Sequence, residues 1–393
     1  MLTAMPLPPL SADESAQSAR VVARVRAEIA AAGGWLPFSR YMDLVLYSPG
    51  LGYYSAGARK FGADGDFVTA PELTPVFARC LARSLAEVLA VTGGDVVELG
   101  AGSGALAADL LPALSALGAE PARYRIVEVS ADLRERQRAL LAERLPGWVD
   151  RIDWLDAPPA TSWQGVMIAN EVADALPVER IRVRAGGLEQ AGVATGDEGF
   201  RLEWRPASPD IAAAFAALTR ELPAPLPDGY VTEFAPAAGA WLATALAGLG
   251  RGAAWLIDYG LPRAQYHHAS RDGGSFCGFF RHRRHEDPFL HPGLSDLTAW
   301  VDFTTLAEAG LACGFEVAGF TTQAHFLADT GLDQEFAAEA GGLDERGRAA
   351  LAQAVAQLIL PGEMGEKFKV LALSRGLSAT PAGFGFRDLA ATL

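Results

Sequence analysis

Cysteine is scarce: the 393-residue chain has three, Cys80, Cys277 and Cys313. An odd number at wide spacing gives neither a disulfide framework nor a paired-thiol metal site, and suits a reducing cytoplasm. Basic residues are also the minority, 33 against 47 acidic ones, so a net charge of -14 repels phosphate backbones and anionic lipid. General nucleic-acid binding is not expected. No apolar run approaches the length of a membrane span, and the first basic residue, Arg20, follows a stretch broken by Pro6, Pro8 and Pro9. Neither membrane insertion nor a signal peptide is predicted. Arg20, Arg24 and Arg26 give residues 13–32 a faint likeness to an organelle transit peptide, but Asp13, Glu14 and Glu28 favour a plain amphipathic helix.

What is present is core material: half the residues are apolar and 42 are glycine, enough for one elaborated domain or two smaller ones. Short apolar runs at 95–99, 124–129, 165–169 and 253–257 alternate with helix-like stretches, as buried parallel strands do in βαβ units. A mostly parallel, doubly wound α/β sheet follows. Residues 1–90 read as a helical N-terminal extension interrupted by a long Gly-rich loop at 48–71, which is too long for an incidental turn. Residues 91–375 form the main domain, with an antiparallel insertion at about 180–230, where alternation and glycine replace the α/β pattern. Residues 366–374 read as a late strand, and 376–393 as a loose tail. There is no internal repeat.

The strongest motif is VVELGAGSGALAADLL, in which a strand ending at Leu99 passes through Gly100, Gly102 and Gly104 into a helix. Glycines let the backbone turn tightly and approach a ligand, while the helix start offers free N–H groups. The next strand leads to Glu128, 24 residues after Gly104, where a carboxylate can accept hydrogen bonds from ribose hydroxyls. GAGSGA also satisfies the dinucleotide pattern, so an NAD-dependent oxidoreductase is an alternative. Glu98 favours the cationic sulfonium and ammonium of S-adenosylmethionine over a pyrophosphate. A third strand ends in NEVADALPVERI, which puts Asn170, Glu171 and Asp174 at the carboxyl edge of the sheet, where ligands bind in open α/β folds. The plainer reading makes Asn170 or Asp174 a helix cap and Glu171 a solvated acid of a first turn.

Five blocks in order carry a family resemblance: 48–77 (SPGLGYYSAGARKFGADGDFVTAPELTPVF), 97–111 (VELGAGSGALAADLL), 170–178 (NEVADALPV), 257–260 (IDYG) and 296–306 (DLTAWVDFTTL). Together they resemble the MidA family of class I methyltransferases, which includes a mitochondrial complex I assembly factor. The family's usual pattern is departed from at Ala78 and Arg79, which follow Phe77 where the family has Phe-Gly-Glu, at Glu179 and Arg180, and at Trp300.

The resemblance implies a Rossmann-like class I methyltransferase fold, bound S-adenosylmethionine, and an arginine of a protein substrate as acceptor. On that footing Glu171 and Asp174, with Asn170, form the acceptor clamp, since a guanidinium is a poor nucleophile until carboxylates orient it and take a proton. Asp64, Gly65, Asp66, Thr69, Pro71 and Glu72 become a lid over the donor, with a simple Asp-Gly turn as the alternative. Trp154 and Asp156 fall where this fold meets the adenine ring, although a core Trp beside a solvated Asp is an equally simple reading. A role as an assembly factor that binds a partner without catalysis also stays open. Residues 279–293 (FFRHRRHEDPFLHPG) superficially suggest a metal or nucleic-acid site, but His282, His285 and His291 lack paired ligand spacing. No metal is expected, and the basic cluster reads as a solvent-facing loop for an acidic part of a protein partner.

Overall fold

The computed structural model describes residues 9–55, 69–197 and 199–393. The first helix, Ala12–Ala31, begins with a capping box in which Ser11 and Glu14 satisfy each other's backbone amides. Its face of Val21, Val25 and Ile29 is buried at i, i+4 and i+8 spacing. A two-residue strand, β1 (Leu36–Pro37), leads into the helix Phe38–Tyr47. The extension is therefore not purely helical. The helix Pro75–Thr92 starts at Thr74, whose hydroxyl accepts the Val76 amide, and stops at Gly93 in the left-handed conformation.

The central sheet opens with β2 (Asp95–Leu99), buried at every residue, then β3 (Tyr124–Val127), β4 (Ile152–Leu155) and β5 (Trp163–Asn170). The insertion follows as β6 (Glu179–Arg184), β7 (Gly187–Gly196), β8 (Gly199–Pro206) and β9 (Val231–Phe234), before the chain returns through β10 (Leu249–Leu261). A hairpin of β11 (Cys277–Phe280) and β12 (Arg283–His285) pairs with β13 (Asp296–Thr298). The short β14 (Val301–Asp302) pairs with the end of β10, and the fold closes with β15 (Glu316–Thr322) and β16 (Phe368–Arg375).

The order across the main sheet is β4-β3-β2-β5-β10-β16-β15. Every pair from β4 to β10 is parallel, and β16 runs antiparallel to both its neighbours. The order reverses between β2 and β5, and in open α/β sheets ligands bind above the carboxyl ends at such a switch point. Apolar layers cover both faces, with Phe77, Leu81, Trp255 and Val370 in one and Met167, Leu256, Phe303 and Leu371 in the other.

The insertion sheet has the order β1-β7-β6-β9, with β8 also paired to β7, so the N-terminal extension contributes a strand to it. Val25, Phe38, Tyr41, Val193 and Leu297 share a third apolar cluster, which binds the extension to the insertion and to β13. The segment 376–393 is not a loose tail. Phe384 is buried edge-on against Phe326, and the Leu389 amide donates to the Phe320 carbonyl at 2.6 Å.

Candidate functional site

A cavity of about 860 Å³ lies over the carboxyl ends of β2, β3, β5 and β10. Its donor side is built by the glycine loop. Gly100 and Gly104 have φ of 63° and 87°, conformations that side-chain-bearing residues rarely adopt. A Cβ at Gly100 would also stand 3.2 Å from Cγ2 of Val172. Among the described residues no side chain caps the helix Ala105–Ala116, which begins at Gly104, so its first-turn amides are left for a ligand. Gly102, Ser103, Ala105 and Leu106 line the cavity there.

Glu98 faces the cavity but is 3% exposed, and its Oε2 accepts the Tyr124 hydroxyl at 2.7 Å. Burial pushes its carboxyl up to about 7, against the opposing pull of that hydrogen bond. Glu128 also lines the cavity; it accepts the Ser130 amide at 2.8 Å and the Gln137 side chain at 3.3 Å, and burial raises its pKa. Asp156 sits at the rim, where Arg134 donates to it at 2.6 Å.

Trp154 does not face the cavity. Its indole N–H donates to Gln137 Oε1 at 2.9 Å, and Arg138 lies 4.7 Å from the ring centroid, so it packs between the helix Ala131–Arg144 and the core. The apolar wall beside Glu128 comes instead from Val129, Leu133, Ala157 and Pro158. Thr69 and Pro71 line the cavity, while Glu72 has a buried Oε2 with no hydrogen-bond partner among the described residues. Asp64, Gly65 and Asp66 lie outside the described residues.

The opposite side of the cavity gathers carboxylates. Glu171 follows β5 with φ 54°, anchored by its amide to the Ile257 carbonyl at 2.8 Å, and Asn170 Nδ2 donates to its Oε1 at 3.2 Å. Burial, helped by repulsion from Asp174 and Glu72, pushes its carboxyl up to about 8. Asp174 accepts hydrogen bonds from the Tyr259 hydroxyl and, at 3.0 Å, from the Thr298 hydroxyl. Burial raises its pKa as well. Its Oδ1, like Asn170 Oδ1, is buried without a partner among the described residues. Neither residue caps a long helix, because a single 3₁₀ turn, Ala173–Ala175, follows instead.

Sequence reasoning missed several residues here. Asp258 belongs to the IDYG block, yet only the fold shows its carboxylate reaching the Asp174 turn. Tyr47 and Tyr54 stack at 5.5 Å and 21° on the cavity wall, donating to the Ala175 carbonyl at 2.8 Å and to Asp296 at 2.9 Å. The basic stretch is the β11–β12 hairpin, and Arg284 on it faces the cavity. Among the described residues no cluster of His, Cys, Asp and Glu could hold a metal, and no helix is long and apolar enough to cross a membrane.

Comparison with known proteins decides the family. The profile of a family of S-adenosyl-L-methionine-dependent methyltransferases matches residues 80–321. The chain belongs to this family, the MidA-like methyltransferases. It is similar to the mitochondrial protein arginine methyltransferase NDUFAF7 of Danio rerio, with 30% identity over 86% of this chain and 83% of that protein. The Homo sapiens protein of the same name is 30% identical, covering 86% of this chain and 80% of that one. A solved structure of a Burkholderia thailandensis protein bound to S-adenosyl-homocysteine superposes with a TM-score of 0.92 at 46% identity, over 99% of this chain and all of that one.

The MidA-like chain accordingly has the class I methyltransferase fold and uses S-adenosylmethionine. Its residues fit that donor: an uncapped helix start beside glycines, a buried carboxylate at Glu128, and acids facing a cationic ligand.

Proposed function

We propose that this methyltransferase modifies the guanidinium of an arginine in a protein substrate. The observation that carries the reading is the cluster at the cavity wall, where Asp174 is buried, Glu171 is half-buried, and Asp174 Oδ1 and Asn170 Oδ1 have no partner among the described residues. Buried oxygens of that kind are costly unless a donor-rich ligand completes them, and a guanidinium presents five N–H donors in one plane.

S-adenosylmethionine supplies, when bound, an activated methyl group on a cationic sulfur. Asp174 and Glu171 orient the guanidinium, and one of them takes the proton its nitrogen sheds as the new N–CH₃ bond forms and the S–CH₃ bond breaks. A cation beside Glu171 favours the anionic form that burial opposes, so acceptor binding itself prepares the base. The relatives named as protein arginine methyltransferases support the same reading at 30% identity. We place the enzyme in a reducing compartment, the cytoplasm, in keeping with three free cysteines.

The test incubates the purified protein and methyl-labelled donor with lysate of cells lacking it, then locates the label by mass spectrometry. Label on arginine of a protein is the expected result. Label confined to another residue type, or to small molecules, would replace the arginine reading.

A further inference from the structure

From the register of the β12-β11-β13 sheet we infer that Arg284 reads an acidic residue next to the methylated arginine. The inference rests on the arginine reading of the site. Phe279 stands opposite Arg284 on one side and opposite Asp296 on the other, and Cys277 stands opposite Thr298. Directly opposed residues share a face of an antiparallel sheet, so all five project the same way. Four of them line the cavity, and the fifth, Thr298, donates to Asp174 at 3.0 Å. This small sheet is therefore the outer wall of the acceptor chamber.

The wall changes character along its width. Thr298 and Asp296 are buried beside the carboxylate centre, Phe279 is half-buried, and the Arg284 side chain is 55% exposed. Two strand spacings, roughly 10 Å, separate the Asp296 backbone from that of Arg284. An arginine that delivers its guanidinium to Asp174 and Glu171 leaves its own Cα near the mouth, because its stem is long and unbranched. The side chains flanking it then meet Arg284.

Charge selects what they are. Among the described residues that line the cavity seven are carboxylates, and Arg284 and Lys367 are the basic ones. The Lys367 ammonium donates to the Gly362 carbonyl at 2.6 Å, which holds it on its own loop. Arg284 has a partner in Glu286 at 3.1 Å, but the Glu286 side chain is 77% exposed, and such surface pairs exchange readily for another carboxylate. A guanidinium is drawn inward by the acids, and a neighbouring carboxylate is held at the rim by Arg284.

The hairpin is built to hold that position. Its turn residues Arg281 and His282 have φ of 49° and 60°, the left-handed pair a tight hairpin needs but which non-glycine residues adopt at a cost. Arg281 ties the turn to the first helix through two bonds to Glu14, at 2.8 and 2.9 Å. Strain of this kind persists where surrounding contacts fix it, and it gathers at ligand sites.

The experiment uses the full-length protein, S-adenosylmethionine, and short C-terminally amidated peptides with one central arginine flanked by alanine, aspartate or lysine. The expected kcat/KM for the aspartate peptides exceeds that for the lysine peptides on the order of tenfold, the combined effect of one rim attraction gained and one repulsion avoided. Arg284→Gln collapses that ratio, and Arg284→Glu inverts it in favour of lysine. Equal rates for all flanks, or a ratio unchanged in Arg284→Glu, would overturn the inference while leaving arginine methylation standing. Failure to methylate any arginyl peptide while lysate proteins are labelled at another residue type would overturn both.

Discussion

Asp258 holds Asp174 by its backbone: Asp258 Oδ2, at the end of β10, accepts the amides of Ala173 at 3.0 Å and Asp174 at 3.1 Å. Its Oδ1 accepts the Tyr259 amide at 2.9 Å, and the Tyr259 hydroxyl returns to the Asp174 carboxylate. An aspartate 2% exposed thus fixes the Ala173–Ala175 turn from the neighbouring strand.

Asp258→Asn puts an amide donor among backbone donors, so the turn loses part of its clamp. The expected stability cost is about 1–3 kcal/mol, the range for a buried polar group left poorly paired. The expected fall in kcat is about a hundredfold, as for a slight misplacement of reacting groups. Donor affinity by calorimetry should hold within a few fold, because the glycine loop lies on other strands. A fall in donor affinity as large as the fall in kcat would mean that Asp258 supports the whole cavity and not the turn.

Glu171→Gln and Asp174→Asn should separate binding from chemistry. Neither residue is assigned to the donor, so the dissociation constant for S-adenosyl-homocysteine should stay near the wild-type value. Single-turnover methyl transfer should drop by about a hundred to ten thousand fold, the range for lost acid-base groups. Full activity in the double variant would remove the carboxylate clamp from the mechanism and leave positioning to the aromatic residues around it.

The donor side of this site was legible because its physics is local. A buried run ending in glycines, a helix start and a carboxylate one strand later are all contiguous in sequence, and β2 falls on the predicted run at Asp95–Leu99. On the opposite side of the cavity only Asn170, Glu171 and Asp174 were legible as lining residues. Tyr47, Tyr54, Asp258, Arg284 and Asp296 come from separate segments that meet through tertiary pairing. The β11–β13 sheet left little trace, since its strands have three or four residues and its hairpin turns without glycine. Trp154 misled because strand position predicts an edge of the sheet but not the direction of a ring. The tail, 376–393, has no strong periodicity, yet Phe384 finds a buried contact.

Donor choice can be read from stability. S-adenosylmethionine or its demethylated product at saturating concentration should raise the melting temperature by mass action, and NAD at the same concentration should not. Gly100→Val should abolish that shift. In this fold the reason is first steric within the protein, because Gly100 has φ 63° and any Cβ there approaches Val172. The unliganded variant should therefore also melt several degrees lower. A variant that kept the donor-induced shift would move the binding site away from the loop.

The pH dependence follows from Glu171. Desolvation in the cavity wall, helped by repulsion from Asp174, pushes its carboxyl up to about 8 in the folded protein, against an ordinary value of 4.5. Acting as a base it must be ionised, so kcat/KM, which reports the free enzyme, should climb with pH and level off above about 8. The effect on stability runs the other way. A raised folded pKa means that the folded state binds the proton more tightly, so the contribution is fully present below pH 4.5 and is lost as pH rises through about 8. Glu98, pushed up to about 7 by burial, adds a loss of the same sign. Glu171→Gln cannot ionise and escapes its share. It should melt close to the wild type at pH 5 and several degrees higher at pH 9, as measured by differential scanning calorimetry. Equal melting temperatures at pH 9 would show that Glu171 is already ionised at neutral pH, and the rise in kcat/KM would then have to belong to another group.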